Sequence, residues 1–499
     1  MAAIVTDQFR ILNANNFVET IDNSANSYYV VVGLANPTLN VGFGRTTAWN
    51  TNTPNPIDNF NYINHVGDVQ IFGKKVTSAN VRRLITRRNW TQGTRYEMYR
   101  HDYSVTSPSP VTNSTRLYAS SYYVMNKNFD VYICLDNGSS GISTTGNASQ
   151  DEPLFTDLEP SRAGESGDGY IWKYLFTVPP SDIIKFDSTE YISVPGDWPT
   201  STETQIQSVR ENGDSTINNN QIKKVYIDKQ GFGYTQNIVG REVDIIGDGT
   251  GGKVVIDTDS NGKIIKTQVS SGGKGYTFAM IDLGPLGNNG VSVNNKAKLI
   301  PIIPPSRGHG FDLYKELGTD KLLVYARFDD STKDFPTDTK FSQISIVKNP
   351  TSIGSTLTYT ANDFSSVNAI KVISPSGSPT IGERIRQNVT GGVAEGYIVS
   401  YDTDTNVIKY YQDRSLYFNQ TSADQTDYVG VTTEAKVLSF ESSATSIIAP
   451  TSGFSATVDQ NFTGIATNIG SKVISLGVNF TNGLAAPEIN KGSGEVIYL

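Results

Sequence analysis

The segment from residue 170 to residue 178 constrains the fold of this chain more strongly than any other stretch. Its alternate side chains are large and apolar: Tyr170, Trp172, Tyr174, Phe176 and Val178. In a β-strand, alternate residues share one face, so all five would point the same way. Asp168-Gly169 before the segment favours a turn, and Pro179-Pro180 after it ends strand pairing because proline lacks an amide proton. Since each aromatic ring buries roughly 150–250 Å², we predict a strand in the middle of a core.

Length and charge limit the classes of protein to consider. A chain of 499 residues is long enough for several domains. Its 41 Lys and Arg against 49 Asp and Glu give a net charge of −8, which argues against a nucleic-acid partner. Apolar runs are too short for membrane insertion, and residues 1–7 lack the anatomy of a signal peptide. The single cysteine, Cys134, excludes an internal disulfide framework and fits folding in a reducing cytoplasm.

The sequence contains three helix candidates, over residues 7–22, 77–89 and 311–317. In the first, the apolar stripe is formed by Phe9, Leu12, Phe17 and Ile21. In the second, Val81, Leu84 and Ile85 point inward and arginines surround them, namely Arg82, Arg83, Arg87 and Arg88. Two interpretations of these arginines are open: a solvated helix face, or an anchor for an acidic partner protein.

Two blocks are rich in β-strand signals. Residues 203–303 contain the pattern Gly-x-Gly-Tyr-Thr twice, at 231–235 and 273–277, which indicates a small β-domain built by duplication. Residues 302–310 follow it as a predicted linker. The second block, 351–490, includes a predicted hairpin from 394–401 and 406–411. The fold class is therefore mainly β with a few short helices, an α+β core carrying inserted β-sandwich-like modules.

Two motifs that resemble ligand sites are better explained as turns. Gly247–Gly252 matches a dinucleotide-binding pattern, but a strand and not a helix follows it, so we predict a glycine hairpin turn. Asp257–Gly262 resembles the start of a calcium loop, but its twelfth position is Gln268 where a glutamate is needed. Asn261-Gly262 between alternating runs is also a hairpin signature, and calcium binding stays an open alternative.

The chain offers little material for catalysis. It has three histidines, His65, His101 and His309, and none stands beside a nucleophile-elbow pattern. Pairs of carboxylates are numerous in any chain with 49 acids and cannot be assigned to a cleft from sequence. We expect no enzymatic activity, no cofactor, no metal site and no small-molecule substrate.

With these residues placed, the chain resembles the gene product eight family of baseplate wedge subunits from T-even-like contractile-tailed bacteriophages. The resemblance lies in ordered blocks: Ala3–Thr6 with Phe9-Arg10, Phe43–Arg45 with Trp49, Arg87–Trp90 with Thr94–Tyr96, Gly167–Pro180, Glu190–Pro195, Phe341–Ile346 with Asn349-Pro350, and Gly494–Tyr498. The resemblance covers roughly residues 1–200, 305–350 and the last few positions, about half of the chain. Residues 203–303 and 351–490 have no counterpart in the shorter T-even protein. The family continues beyond the last block, which leaves open whether the gene product extends past Leu499.

The resemblance implies a structural building block of the virion tail, assembled in the host cytoplasm. It implies a homodimer that binds other wedge proteins, with six wedges closing around a central hub. The implied organisation is a wedge core (1–202), an inserted β-domain (203–303), a return to the core (304–350), a second inserted β-domain (351–490) and a C-terminal return segment (491–499). Interface candidates are Arg45, Arg87, Arg88 and Trp90. The alternative is a glycan-binding or glycan-cleaving tail protein that presents aromatic residues on its β modules.

Overall fold

A computed structural model of the chain describes thirteen segments of the sequence. They are residues 6–35, 70–213, 221–287, 291–327, 341–352, 357–365, 368–389, 392–411, 440–441, 446–459, 474–475, 488–489 and 496–498. The chain divides into two compact units, the first made of Met1–Asn15 and Arg82–Leu323, the second of Asn16–Val81 and Val324–Leu499. The limits of the five segments expected from the sequence remain predictions.

The α-helices are short and few among the described residues. They are α1 (Asp7–Asp22), α2 (Pro180–Phe186), α3 (Thr204–Gly213) and α4 (Leu313–Glu316). The helix predicted at residues 7–22 is confirmed in its limits, but the prediction of its buried face is partly wrong. Ile11, Ala14, Phe17, Val18 and Ile21 are buried, whereas Phe9 and Leu12 are exposed. The spacing of the buried positions follows one helical stripe, which passes beside Phe9 and Leu12 instead of through them.

The strands carry most of the regular structure, and the prediction of a mainly β, multi-domain chain is confirmed. In chain order they are β1 (Tyr28–Ala35), β2 (Gln70–Val76), β3 (Val81–Thr86), β4 (Tyr123–Met125), β5 (Asp130–Asn137), β6 (Tyr170–Thr177), β7 (Tyr191–Val194), β8 (Val225–Lys229), β9 (Arg241–Gly247), β10 (Thr250–Thr258), β11 (Ile264–Lys274), β12 (Ala279–Ile281), β13 (Lys298–Pro301), β14 (Lys321–Tyr325), β15 (Phe341–Lys348), β16 (Thr351–Ser352), β17 (Asp363–Ser365), β18 (Asn368–Ser376), β19 (Arg384–Val389), β20 (Gly392–Asp402), β21 (Val407–Tyr411), β22 (Ser446–Ala449), β23 (Phe454–Val458), β24 (Ile474–Ser475), β25 (Glu488–Ile489) and β26 (Val496–Tyr498).

The aromatic strand predicted at 170–178 is β6, and it lies in the main core of the first unit. It pairs antiparallel with β5, and the sheet order is β4-β5-β6. Its alternating aromatic side chains are all buried, and the Tyr170 and Trp172 rings stack with centroids 5.2 Å apart. Tyr96 packs edge-on against Trp172 at 5.9 Å. The other face is buried as well, because Lys173 and Leu175 are nearly inaccessible.

The helix predicted at 77–89 is wrong. A short 3-10 turn, Ser78–Asn80, leads into β3, which pairs antiparallel with β7 so that Leu84 lies opposite Ser193. The spacing of Val81, Leu84 and Ile85 fits one face of a helix, but all three residues are buried on a strand. A strand covered on both faces loses the alternation that identifies it, and its β-branched residues favour extended backbone.

Residues 221–303 fold around a core of their own within the first unit. The sheet order is β11-β10-β9-β12, and β13 pairs with β8. Both predicted duplicates place their tyrosine in this core, because Tyr234 and Tyr276 are buried. Gly247–Gly252 spans the β9–β10 turn, as predicted. Asp257–Gly262 ends β10 and turns into β11, with Asp259 Oδ1 accepting hydrogen bonds from the backbone of Asn261 and Lys263 at 2.8 Å each.

In the second unit, a closed barrel takes the place where a β-sandwich-like module was expected. Its strand order is β18-β21-β20-β19-β22-β23. The hairpin predicted within residues 394–411 is confirmed as β20–β21. A separate sheet has the order β15-β1-β2-β17, and the pairs β16–β24 and β25–β26 are antiparallel. The barrel core is aliphatic and aromatic, with Ile370, Val372, Ile398, Tyr410 and Phe454 among its buried members.

Candidate interaction surface

Three of the four predicted interface residues, Arg87, Arg88 and Trp90, lie on the segment that directly follows β3. The fourth, Arg45, lies outside the described residues. The segment is held against β4 by its backbone. Met125 donates its N–H to the Arg88 carbonyl at 2.7 Å, and Trp90 donates its N–H to the Met125 carbonyl at 2.8 Å. These bonds fix the direction in which the three side chains leave the chain.

Arg87 and Trp90 use their polar groups within the protein. Arg87 donates Nη1 to the Ser188 carbonyl at 3.1 Å and Nε to Asn89 Oδ1 at 3.1 Å. Trp90 is half-buried, and its indole Nε1 donates to Ser149 Oγ at 3.0 Å. Both side chains are therefore oriented by their neighbours, and their role as partner anchors stays a prediction.

Arg82 and Arg83, the other members of the arginine cluster, stabilise the fold. Arg82 Nε lies 2.7 Å from Asp182 Oδ2 in an ion pair. Arg83 is buried, donates Nε to Asn15 Oδ1 at 2.8 Å, and lies 3.9 Å from the centroid of the Tyr314 ring. A solvated helix face is therefore not the explanation for this cluster, since the element is a strand and Arg83 is inside.

Arg88 differs because it borders a cavity of about 180 Å³. Its guanidinium donates to the Ser120 carbonyl and lies 4.9 Å from the centroid of the Tyr123 ring. The Tyr123 hydroxyl donates to the Thr86 carbonyl at 2.7 Å. Burial raises the pKa of Tyr123 to about 12, against the opposing effect of the Arg88 charge. A neutral, anchored tyrosine ring thus supports the arginine at the cavity edge.

The cavity lining combines charged and apolar side chains. It is formed by Asp7, Ile11, Leu84, Ile85, Thr86, Arg88, Arg116, Tyr118, Ala119, Tyr123, Leu317, Gly318, Asp320 and Lys321. Arg116 Nη1 lies 2.6 Å from Asp7 Oδ1, and Lys321 Nζ lies 3.3 Å from Asp320 Oδ1. Three cations face two carboxylates, so the lining has one surplus positive charge.

Tyr118 makes one wall of the cavity rigid. Its hydroxyl donates to the Lys315 carbonyl at 2.7 Å and accepts from Gln8 Nε2 at 3.3 Å. Burial raises the pKa of Tyr118 to about 12. Its ring lies so close to Gly318 that a Cβ at that position would come within 2.4 Å of it. The wall therefore joins the start of α1, the 117–119 turn and the end of α4.

This arrangement is suited to holding an acidic group from another molecule. Exposed ion pairs such as Arg116–Asp7 contribute only about 0–1 kcal/mol, so their cations can also contact an incoming carboxylate. The lining contains no histidine, cysteine or serine that could act as a nucleophile–base pair. Across the described part of the chain, no group of three or more His, Cys, Asp or Glu side chains could hold a metal ion. No helix within the described segments is long and apolar enough to cross a membrane.

Sequence reasoning found Arg88 but missed most of the cavity. Asp7, Arg116, Tyr118 and Asp320 come from segments far apart in the chain, and no local pattern connects them. Arg116 and Tyr118 stand in a Ser- and Thr-rich loop whose composition gives no sign of a binding role. Only the folded chain brings these residues to one place.

Known proteins point to the same family as the motif blocks. The family model described as "Bacteriophage T4, Gp8" matches residues 143–232. The baseplate wedge protein gp8 of Enterobacteria phage T4 is 28% identical over 224 residues, which is 40% of this chain and 61% of that protein. The chain resembles the phage gp8 family. The resemblance predicted from the sequence is thereby confirmed.

The matched family model contains β6 and continues to residue 232. It overlaps the first residues of the segment predicted as an insertion from residue 203, and the limits of that insertion stay a prediction. The chain spans 61% of the length of its gp8 relative.

Proposed function

We propose that this protein is a structural component of a phage tail baseplate wedge and is located in the virion. The observation that carries the proposal is the similarity to T4 baseplate wedge protein gp8 over 224 residues. In this role the protein acts without catalysis, by burying interfaces with neighbouring tail proteins. Such interfaces depend on a few aromatic and arginine side chains set in a well-packed surround.

The Arg88 cavity is our candidate for one of these interfaces. An acidic side chain or a chain-terminal carboxylate of a neighbouring wedge protein would enter it and accept hydrogen bonds from Arg88. The surplus positive charge favours such a group, because hydrogen bonds between charged partners are stronger than those between neutral ones. Tyr123 and Tyr118 hold the walls before the partner arrives, which reduces the entropy cost of binding.

Self-association is a second part of the proposal. The family resemblance implies a homodimer, and mass measurement of the purified chain in solution tests it. A dimer at micromolar concentration is expected. A clean monomer under those conditions would remove dimerisation from the proposed function.

Tail assembly tests the whole proposal. A phage that lacks this gene is supplied with the full chain, and purified tails are analysed for the chain and for complete baseplates. We expect the chain in baseplates and loss of wedge assembly with Arg88→Glu. Arg162→Glu, a charge reversal at an exposed arginine outside the cavity, should assemble normally. Thermal unfolding of both purified variants establishes that the fold is intact.

Two results would contradict the proposal. Complete tails without the chain would show that it is not a wedge component. Specific binding on a glycan array, or release of oligosaccharide from host surface polymer, would favour the glycan alternative.

A further inference from the structure

The sheet β11-β10-β9-β12 has one face on the core and one face exposed. Val243 and Ile245 of β9 and Val254 of β10 are buried on the inner side, together with Tyr276. The neighbouring residues Asp244, Ile246 and Lys253 point to the other side, because successive side chains of a strand alternate. This outer face carries an unusual combination of side chains.

Three large apolar side chains lie together on the outer face. Ile246 is 50% exposed, Phe278 is 59% exposed and Met280 is 52% exposed. Met280 lies directly opposite Ile246 in the antiparallel pairing of β12 with β9. Phe278 precedes Met280 by two positions and so shares its side of the sheet. We call Ile246, Phe278 and Met280 the apolar triad.

The surface beside the triad is flat because glycines occupy it. The pairing of Lys253 with Asp244 places Gly251 next to Ile246, and the pairs Gly252–Gly272 and Thr250–Lys274 place Gly273 next to Gly251. Gly251 and Gly273 have φ of +77° and +62°, a backbone region that favours glycine. No side chain therefore rises between β9 and β11 at this level, and a partner can approach the backbone closely.

Carboxylates surround the triad. Asp248 stands beside Phe278 and accepts its backbone N–H at 3.0 Å. Hydrogen bonds from Thr277 and Phe278 lower the pKa of Asp248 to about 2, so it is ionised. Asp282, directly after β12, donates its N–H to the Asp244 carbonyl of β9 at 3.0 Å, which brings these two acidic residues opposite each other.

Lys253 forms ion pairs with two carboxylates of this acidic rim. Lys253 Nζ lies 3.0 Å from Glu242 Oε2 and 4.0 Å from Asp244 Oδ1. Near the triad the outer face thus carries Glu242, Asp244, Asp248 and Asp282 with Lys253, and farther along the face Asp257 lies opposite Lys266. Asp248 and Asp282 also accept hydrogen bonds from the backbone N–H groups of Phe278 and Gly284, so these two carboxylates stabilise turns as well as adding negative charge to the face.

We propose that this outer face is a docking site for a partner protein that presents an apolar side chain flanked by lysine or arginine. The apolar triad would form the centre of the contact, and the carboxylates would form its polar rim. A second copy of the chain would bring the same acidic rim against itself, so the occupant is a different protein. The inference rests on the proposed function, since it assigns one wedge contact to this face.

Photocrosslinking within assembled tails tests the assignment. A benzophenone amino acid replaces Met280 in the full chain, which is supplied to a phage lacking the gene. The same amino acid at Val239, which is 86% exposed in the same domain, is the matched control. We expect the Met280 position to crosslink to another tail protein, at a peptide with an apolar residue beside lysine or arginine, and the Val239 position not to reach that peptide.

Three outcomes would overturn the inference: a crosslink to a second copy of this chain, a crosslink to a peptide without basic residues, or no crosslink in tails that contain the chain. Absence of the chain from tails would instead reject the proposed wedge function, so the two failures are distinguishable.

Charge reversal gives an independent test of the rim. Asp244→Lys with Asp282→Lys should lower the crosslink yield at least tenfold, and reversing the lysine or arginine on the identified partner peptide should restore it. Asp157→Lys with Glu165→Lys, at exposed acids elsewhere in the first unit, should leave the yield unchanged. An unchanged yield with the rim variant, whose unfolding temperature matches the parent, would show that the carboxylates do not select the partner.

Discussion

The guanidinium of Arg100 lies 3.9 Å from the centroid of the Tyr226 ring. Arg100 belongs to the N-terminal part of the first unit and Tyr226 to β8, so the contact joins the predicted wedge core to the predicted inserted domain. Arg100 is buried, and Asp102 accepts its Nε and Nη2 at 2.9 and 2.7 Å. Nearby, Lys224 Nζ lies 2.8 Å from Asp136 Oδ1. The domain with the apolar triad is therefore held against the N-terminal part of the first unit by desolvated cations.

Replacing Tyr226 tests whether its contact with Arg100 adds stability beyond ordinary packing. We expect Tyr226→Leu and Arg100→Lys to show a coupling energy of about 2 kcal/mol in a double-mutant cycle, the magnitude of a desolvated cation–π contact. Urea unfolding monitored by tryptophan fluorescence measures it. Tyr234→Leu, at a buried tyrosine that contacts the Ala297 backbone, should be additive with Arg100→Lys. Additivity for Tyr226 as well would mean that the stacking contributes no specific stability.

Trp172 offers a test of the core prediction. Its side chain is fully buried between Tyr170 and Tyr96, so Trp172→Ala should lower the free energy of unfolding by about 3–5 kcal/mol. The indole Nε1 has no hydrogen-bond partner among the described residues, and Trp172→Phe should therefore cost much less. Chemical denaturation of both variants provides the comparison. A loss below about 1 kcal/mol for Trp172→Ala would contradict the assignment of this strand to the core.

The contrast between β6 and β3 shows what the sequence could and could not predict. At 170–178 the alternation of large apolar residues and the terminating prolines specified a strand, and the structure has one. At 81–86 the apolar residues fit a helical spacing, and the burial of both strand faces erased the alternation. The Arg88 cavity and the outer face of β9–β12 depend on register and on contacts between distant segments. Neither has a local signal, although the exposure of Ile246 and Met280 follows once the pairing is known.

The duplicated tyrosines should differ in their contribution to stability, although their local sequences match. The Tyr276 hydroxyl donates to the Ile245 carbonyl and accepts from the Gly252 N–H, both at 3.0 Å. The Tyr234 hydroxyl accepts from the Ala297 N–H at 3.0 Å. Tyr276→Phe should therefore cost about 1–3 kcal/mol because it leaves a buried donor and a buried acceptor, and Tyr234→Phe should cost less. Thermal unfolding compares them, and an equal or reversed order would show that the second hydrogen bond is not important.

Lys173 gives the chain a specific pH dependence. Burial lowers the pKa of Lys173 from its ordinary 10.5 to about 8, with Glu159 acting in the opposite direction. Its Nζ donates to the Leu158 carbonyl and to Asn212 Oδ1, both at 2.7 Å. Between pH 8 and 10.5 the unfolded chain keeps this proton and the folded chain releases it, so Lys173 makes the folded state more stable as the pH rises. The full effect of this shift is about 3 kcal/mol.

The effect of Lys173 on stability should be measured between pH 7.5 and 9.5. Above about pH 10 the effect is opposed by buried tyrosines such as Tyr174, whose pKa burial raises to about 12, because the unfolded chain then loses tyrosine protons first. Urea unfolding across this window should show that the free energy of unfolding of the parent protein rises relative to that of Lys173→Met as the pH increases. Lys185→Met, at an exposed lysine on α2, should follow the parent at every pH. If Lys173→Met also runs parallel to the parent, the buried amine keeps its proton throughout, and the desolvation of β6 does not control its charge.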